Sequence, residues 1–492
     1  FLYIETPTMH MHVVGVVILD SSGLGGPYGT EEIAAALADR IHLIPALRRR
    51  ALAPPAGIDH PVWIEDPDFD LTRHVARAPL EAPVTWGALE EFVGQVAGRP
   101  LDRSRPLWEM WVVEGVDSGA VSEVGGPDQP GPGSSGGSSG GGSVALVTKL
   151  HHSIMDGAAG GELMASLFDL TPDAPPVPPA PAPWAPDAIP SAPALAVASL
   201  RSLLARQKAV PAALSHTVEG AVETIRTWVD QRRSGKGVPL LAPRTSLNGA
   251  LSARRSVSLV SVDLDQVREI RTAFGTTVND VVLAATSTAL RRYLSATSGG
   301  LPPGPLVAAV PVDARRVASG ADPGSGGESG PPIGNHVSNM MVALPLQPED
   351  PVARLREIHS NAVASKALQS AFGTRSLQEL TGIAAPTVMT AGARLFSGLK
   401  LARFVPPVSN LIISNIPGPP VDLYCAGARL RGIFPMGPVM EGMGLNVTVL
   451  SEAHRLNVGI MACPDLVPDV AQVGCFFVEA VTELRRLAAC PN

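Results

Sequence analysis

The sequence is poor in aromatics, at 4% of 492 residues, and has only four cysteines, Cys425, Cys463, Cys475 and Cys490. None of them forms a CxxC pair, which argues against a zinc site or disulfide framework and for a reducing, cytosolic compartment. No run reaches the ~18 consecutive apolar residues of a membrane-spanning helix. The opening FLYIETPTMHMHVV also lacks the basic stretch ahead of an apolar one that marks a secretory signal. The first residue is Phe1 rather than Met, so any signal upstream lies beyond this reading. An excess of positive charge is missing too: the formal net charge is −7, which argues against nucleic acid as a partner. What is present is apolar. With 45% hydrophobic and 17% charged residues the chain can bury a large core, and at ~100–200 residues per domain its length suits two to three domains. The 49 glycines and 48 prolines then belong to long loops around packed domains.

Residues 9–20 read as a strand, and residues 30–38 as a helix with Thr30 as its N-cap, an opening that suggests α/β or α+β. A helix is expected near 87–97. Residues 106–116 and 144–157, rich in Val, Leu, Trp and Thr, read as neighbouring strands. Between them lies the Gly/Ser-rich stretch 122–143, read as a mobile surface loop; residues 318–332 are read the same way. The formal GxSxG from Gly136 to Gly140 has neither the preceding strand nor the following helix of a nucleophile elbow and is set aside. The proline-rich stretch 171–193 is an extended connector, and Leu214, Val218, Val222, Ile225 and Val229 follow it at helical spacing. The expected organisation is therefore an N-terminal domain over 1–170, a connector with an amphipathic helix over 171–246, and a C-terminal domain over 247–492. The last opens with a strand and then a helix, with Asp263 and Gln266 as a capping box and Gly275 as the stop. Another helix is expected over 277–294, and strands over 305–313, 337–346, 408–416, 443–451 and 455–462.

Chemistry concentrates in HHSIMDG, immediately after an apolar strand. Neighbours on a strand point to opposite faces, so His151 and His152 cannot both serve one metal, and no metal site is expected. One ring can face a cleft while the other turns inward. Asp156 can fold back to fix the turn, and Gly157 admits backbone conformations closed to other residues. In the helix expected next, Leu163, Met164, Leu167 and Phe168 should face inward.

HHxxxDG after such a strand resembles the signature of the chloramphenicol acetyltransferase-like acyltransferases. Residues 6–15, HPVWIEDPDFDLTRHV, RPLWEMWVVEGV, TVNDVVLAA, GNHVSNMMVALPL and LIISNIPGPP, in this order, narrow the resemblance to the bacterial wax ester synthase/diacylglycerol acyltransferase family over nearly the whole chain. The Gly/Ser insertion and the short N-terminal lead depart from that pattern without removing a motif residue. The resemblance implies two α/β domains with mixed sheets flanked by helices and an active-site tunnel at their interface. It further implies transfer of a fatty acyl group from acyl-CoA to diacylglycerol or a long-chain alcohol, with His152 as general base and no cofactor beyond the acyl-CoA substrate.

Within that frame His151 and Asp156 are structural, and Arg315 is the candidate partner of Asp156. Asn279 and Asp280 match the family's ND motif. Asp280 has the spacing of a capping box with Thr277, while the Asn279 amide, near a positive helix end, is a candidate donor to the oxyanion of the tetrahedral intermediate. Ser414 and Asn415 end a strand before a Pro-Gly-Pro turn and either punctuate it or line the substrate channel. Pro106 to Trp108 reads as core packing. In 386–405, Val388, Leu395, Phe396, Leu399 and Ala402 recur at helical spacing among Arg394, Lys400 and Arg403, which suits either core burial or a peripheral membrane or lipid-droplet contact. Two other functions stay open. One is acyl transfer on the same fold to another hydroxyl, such as a polyketide diol or a carrier-bound substrate; the other is a non-catalytic lipid-binding droplet protein.

Overall fold

The computed structural model describes residues 1–57, 59–117, 142–154, 166–186, 188–202, 241–313, 337–372 and 386–489. The first half runs β1 (His12–Asp20), α1 (Thr30–Arg40), β2 (Arg49–Leu52), β3 (Val62–Glu65), β4 (Val75–Arg77), α2 (Trp86–Ala97), β5 (Trp108–Val116) and β6 (Ser143–His151). The second runs β7 (Ser256–Asp263), α3 (Leu264–Phe274), α4 (Val278–Thr297), β8 (Leu306–Asp313), β9 (Val337–Leu344), α5 (Pro351–Phe372) and α6 (Pro386–Gly398). It continues with β10 (Leu411–Pro417), β11 (Tyr424–Cys425), β12 (Ala428–Met436), β13 (Leu445–Glu452), β14 (Arg455–Ala462) and α7 (Val470–Ala489).

Twelve of these strands form two six-stranded mixed sheets, ordered β11-β12-β1-β6-β5-β4 and β7-β14-β13-β10-β8-β9, and β2 and β3 pair as a separate antiparallel ribbon. The expected neighbours β5 and β6 do pair, antiparallel, with Trp108 opposite Leu150. The connector separates the strands of the two sheets everywhere except at β11 and β12, which come from the second half: β12 pairs with β1 of the first sheet and β11 pairs with β12 at its edge. The crossing is tight. A Cβ on Gly459 of β14 would stand 2.2 Å from the Pro435 carbonyl oxygen of β12, so only glycine fits there.

Strand alternation divides the second sheet's side chains. Leu306, Ala308, Leu411, Ile413, Leu445, Val447, Val449, Val458 and Ile460 join one core with α3, α4, α5 and α7. Helix α4 is buried from Asp280 through Leu290, which is why its sequence carries no polar stripe. Each fully buried Leu there contributes about 1.5–3 kcal/mol. The opposite side meets the first sheet through α2, whose Leu89, Phe92, Val93 and Val96 share a core with Val14, Val16, Val257, Leu259 and Met461. Trp86 donates its indole N–H to the Leu259 carbonyl (3.1 Å), and a Cβ at Gly94 would approach the Arg255 carbonyl oxygen to 2.6 Å.

Local starts and stops depart from expectation in two places. Gly29, not Thr30, occupies the N-cap of α1, because the Thr30 hydroxyl donates to Glu114 (2.8 Å) on β5 instead. Asp263 caps α3 by accepting from the Asp265 N–H, and the structure shows this single-sided cap rather than a box with Gln266. Gly275 ends that helix in the left-handed region (φ 65°), as expected. The connector is pinned at Trp184, whose indole donates to Glu65 (3.2 Å) beneath the Arg48 guanidinium. Phe168 is buried as expected, whereas Leu163, Met164, the repeat from Leu214 to Val229 and both Gly-rich loops lie outside the described residues, except that Ser143, expected at the end of the first loop, is the buried first residue of β6 and Gly142 precedes it.

Candidate active site

Strand β6 delivers His151 as its last residue, buried at 1% exposure, and the chain turns at His152, which is half-buried. The pair is held at both backbone nitrogens: the His151 N–H donates to the Leu107 carbonyl (2.9 Å), and the His152 N–H donates to the Met11 carbonyl (2.7 Å). The first hydrogen bond places the Pro106–Trp108 segment against the motif. Trp108 itself is buried, with its indole donating to the Leu47 carbonyl (2.7 Å), as core packing requires. The His152 ring stacks on Phe1, centroids 4.4 Å apart.

The His151 ring is fixed from two sides. The Ser153 backbone N–H donates to Nδ1 (3.1 Å), and the Ser153 hydroxyl lies 2.5 Å from the same atom. Nδ1 is therefore an acceptor and the neutral ring carries its proton on Nε2. Nε2 lies 3.1 Å from the Glu5 carboxylate. Burial alone would raise the Glu5 pKa. The neighbouring His151 ring, the Arg103 guanidinium and the Met11 N–H together outweigh burial and hold Glu5 well below the ordinary carboxylate range.

Two further histidines share this wall. His12 sits opposite His151 in the β1–β6 register, and its ring packs parallel to His10 at 5.2 Å. Burial, reinforced by the nearby Lys149 ammonium, pushes His12 down to about 2, so it stays neutral. His10 is lowered as well, by burial and then Arg255. The fully buried Lys149 donates to the Val96 and Arg99 carbonyls at the end of α2 and to Glu109 (2.7 Å), which makes it a helix-end fastener.

Asp280 behaves as its spacing implies. It accepts from the Thr277 N–H (2.9 Å) and hydroxyl (2.8 Å) while Thr277 accepts the Asp280 N–H, a complete capping box. A third partner was not foreseen: His359 of α5 places Nδ1 2.8 Å from the same carboxylate. Asn279 is half-buried in the first turn of α4. In β10, Ser414 shares a face with Ile416, which packs on the first sheet's core, and so looks between the sheets. Asn415 shares a face with Ile413, which belongs to the helix-covered core. Asp156, Gly157 and Arg315 lie outside the described residues.

The residues that sequence reasoning missed are Glu5, His10, His12, Ser153, Arg103 and His359. The available signal was Glu5 and two histidines at alternate positions in a lead otherwise short of charge.

Two mixed sheets packed through α2, with paired histidines at the end of a central strand, form the architecture of the chloramphenicol acetyltransferase-like acyltransferases and condensation domains. The first condensation domain of the calcium-dependent antibiotic synthetase matches with a TM-score of 0.54 at 15% identity, covering 99% of this chain and 92% of that one. That likeness bears on fold alone. Residues 1–122 and 138–282 match the wax ester synthase/diacylglycerol acyltransferase catalytic domain, and residues 333–485 match the C-terminal domain of the same family. The chain belongs to this family of acyltransferases. It is similar to Rv1760 of Mycobacterium tuberculosis, provisionally named a diacylglycerol O-acyltransferase, at 35% identity over 98% of this chain and 88% of that protein. Rv0221 of the same organism, similarly named, is 30% identical over 99% and 94%. The wax ester synthase/diacylglycerol acyltransferase of Marinobacter aquaeolei VT8 superposes with a TM-score of 0.64 at 25% identity, covering 99% of this chain and 98% of that one.

Proposed function

We propose that the protein transfers a long-chain acyl group from acyl-CoA to the free hydroxyl of diacylglycerol, of a long-chain alcohol, or of both, with His152 as general base. One observation carries the assignment of the base. Of the two motif histidines, His151 is sealed at 1% exposure between Ser153 and Glu5, and His152 is the half-buried one at the turn.

A thioester is already activated, so the reaction needs a positioned hydroxyl and a proton acceptor, not a protein nucleophile. An imidazole of pKa ~6.5 cannot strip a hydroxyl whose pKa is near the ~15.7 of water. Proton transfer to the His152 ring is therefore concerted with attack of the oxygen on the thioester carbonyl. The tetrahedral intermediate then collapses, the C–S bond breaks, and the departing CoA thiolate takes the proton from the imidazolium. Ester and free CoA leave, and the ring is neutral again. Asn279, at the positive end of α4, serves as donor to the oxyanion, and Ser414, facing between the sheets, lines the acceptor's path. Asp280 holds the start of α4, and Asn415 supports the end of β10. Among the described residues no helix is long and apolar enough to cross a membrane.

The test is purified protein with labelled palmitoyl-CoA, offered dioleoylglycerol and hexadecanol in separate reactions. Ester with either names the acceptor class. No ester with either, under conditions in which both lipids are dispersed, sinks the reading.

A further inference from the structure

Residues 386–405 are expected from sequence to form either a core or an interfacial helix, and the structure shows neither alone. The helix ends at Gly398, Lys400 takes a left-handed conformation (φ 53°), and a single 3-10 turn, Leu401–Arg403, redirects the chain outward. Ala402 of the expected stripe is buried and Phe396 is half-buried. The outward face instead holds Leu395 (60% exposed), Leu399 (58%), Val405 and Val408, around Phe404 at 77%. Among the described residues no large apolar side chain is more exposed than Phe404.

The charge that this segment itself exposes is of one sign. Arg394, Lys400 and Arg403 are exposed beside it, and no Asp or Glu occurs between Glu379 and Asp422, in a chain whose net charge is −7. The Arg244 guanidinium adds a fourth cation and braces the turn by donating to the Arg403 and Val405 carbonyls. We infer that the Leu395–Val408 face, ringed by Arg394, Lys400 and Arg403, docks on an anionic phospholipid surface. An apolar tip in a cationic collar fits that partner: the side chains enter the acyl layer while the collar meets the headgroups.

The anchorage of the face gives docking a use. The Ser397 hydroxyl, on the inner side of α6, donates to Glu441 (2.7 Å), and the Thr8 hydroxyl donates to the same carboxylate oxygen (2.9 Å). Thr8 stands two residues before His10 in the lead that also carries Glu5. The docking face is thus fastened to the segment that backs the motif histidines, so a protein seated on a lipid surface brings that edge to its acceptor. This use rests on the proposed function; the docking itself does not.

Co-flotation of the full chain with vesicles separates the two. The parent should float with phosphatidylglycerol/phosphatidylcholine vesicles, far less with phosphatidylcholine alone, and less at high salt. The triple reversal R394E/K400E/R403E should weaken binding on the order of a hundredfold, at about fivefold or more per lost cation. Phe404→Asp, at a position too exposed to disturb the fold, should weaken it about tenfold or more, and unchanged circular dichroism and melting would confirm that both variants are folded. Equal binding to neutral vesicles, unchanged binding of either variant, or no binding by the parent overturns the proposal. Because flotation needs no turnover, a parent that floats yet makes no ester would leave docking standing while removing the enzymatic reading.

Discussion

Glu5 Oε1 and His151 Nε2 stand 3.1 Å apart, joining the lead before β1 to the last residue of β6. The carboxylate lies against one end of the buried imidazole and Ser153 hydrogen-bonds the other, so His151 acts as the post from which His152 is presented. Replacing Glu5 by Ala removes the acceptor of the Met11 N–H and the carboxylate 3.1 Å from His151 Nε2, and should cost about 2–3 kcal/mol of stability. Glu5→Gln, which keeps an acceptor oxygen in place, should cost less. Denaturant unfolding of the two variants checks the order, and equal stability of parent and Glu5→Ala would contradict the role.

Acid should loosen this wall early. His12, His10 and His74 are lowered by burial, so the unfolded chain binds protons that the folded chain refuses as pH falls below ~6.5. Glu5, depressed in the fold, adds stability that is present above ~4.5 and is lost as pH falls further. Stability should therefore decline from about pH 6.5 downward, and His12→Gln should flatten the upper part of that decline. Melting temperatures measured from pH 8 to pH 4 would show it.

Two carboxylates work in the opposite direction. Burial raises Glu90, on α2, and Glu452, at the end of β13, to about 7 each, against the hydrogen bonds that pull them down. A raised carboxylate is bound to its proton in the fold, so its contribution is complete below ~4.5 and is lost as pH rises through 7. Glu452→Gln keeps an acceptor for the Asn457 amide and should match the parent at pH 5 while exceeding it at pH 8 by on the order of 2–3 kcal/mol. A gain of the same size at both pH values would contradict the raised pKa.

At the start of α4, Thr277→Ala removes one half of the capping box and should cost about 1 kcal/mol. Asp280→Ala removes the partner of Thr277 and of His359 together and should cost more. If Asn279 serves the oxyanion, Asn279→Ala should lower kcat by about 10²–10³-fold with stability little changed. Steady-state kinetics beside unfolding curves distinguishes the two effects.

Much of this was legible in the sequence because local physics decides it. The β6 strand, the histidines after it, the Thr277/Asp280 box and the Gly275 stop follow from alternation, capping and left-handed backbone. The pairing of β12 onto β1 was not legible, since it joins residues some 400 positions apart in a stretch broken by Gly432 and Pro435. Glu5 and His359 were missed for the same reason: each meets its partner only through tertiary contact, with His359 reaching Asp280 across 79 residues. The stripe over 386–405 misled at Ala402 because helical spacing was carried past Gly398, where the helix stops.

The central claim is that the half-buried His152 removes the proton from the acceptor. The most direct measurement is release of free CoA from palmitoyl-CoA, with the preferred acceptor present, by parent and His152→Ala protein at equal acyl-CoA occupancy. The account predicts a fall of about 10²–10⁴-fold in kcat with acyl-CoA binding retained. A variant that keeps its rate within a few-fold of the parent would contradict it.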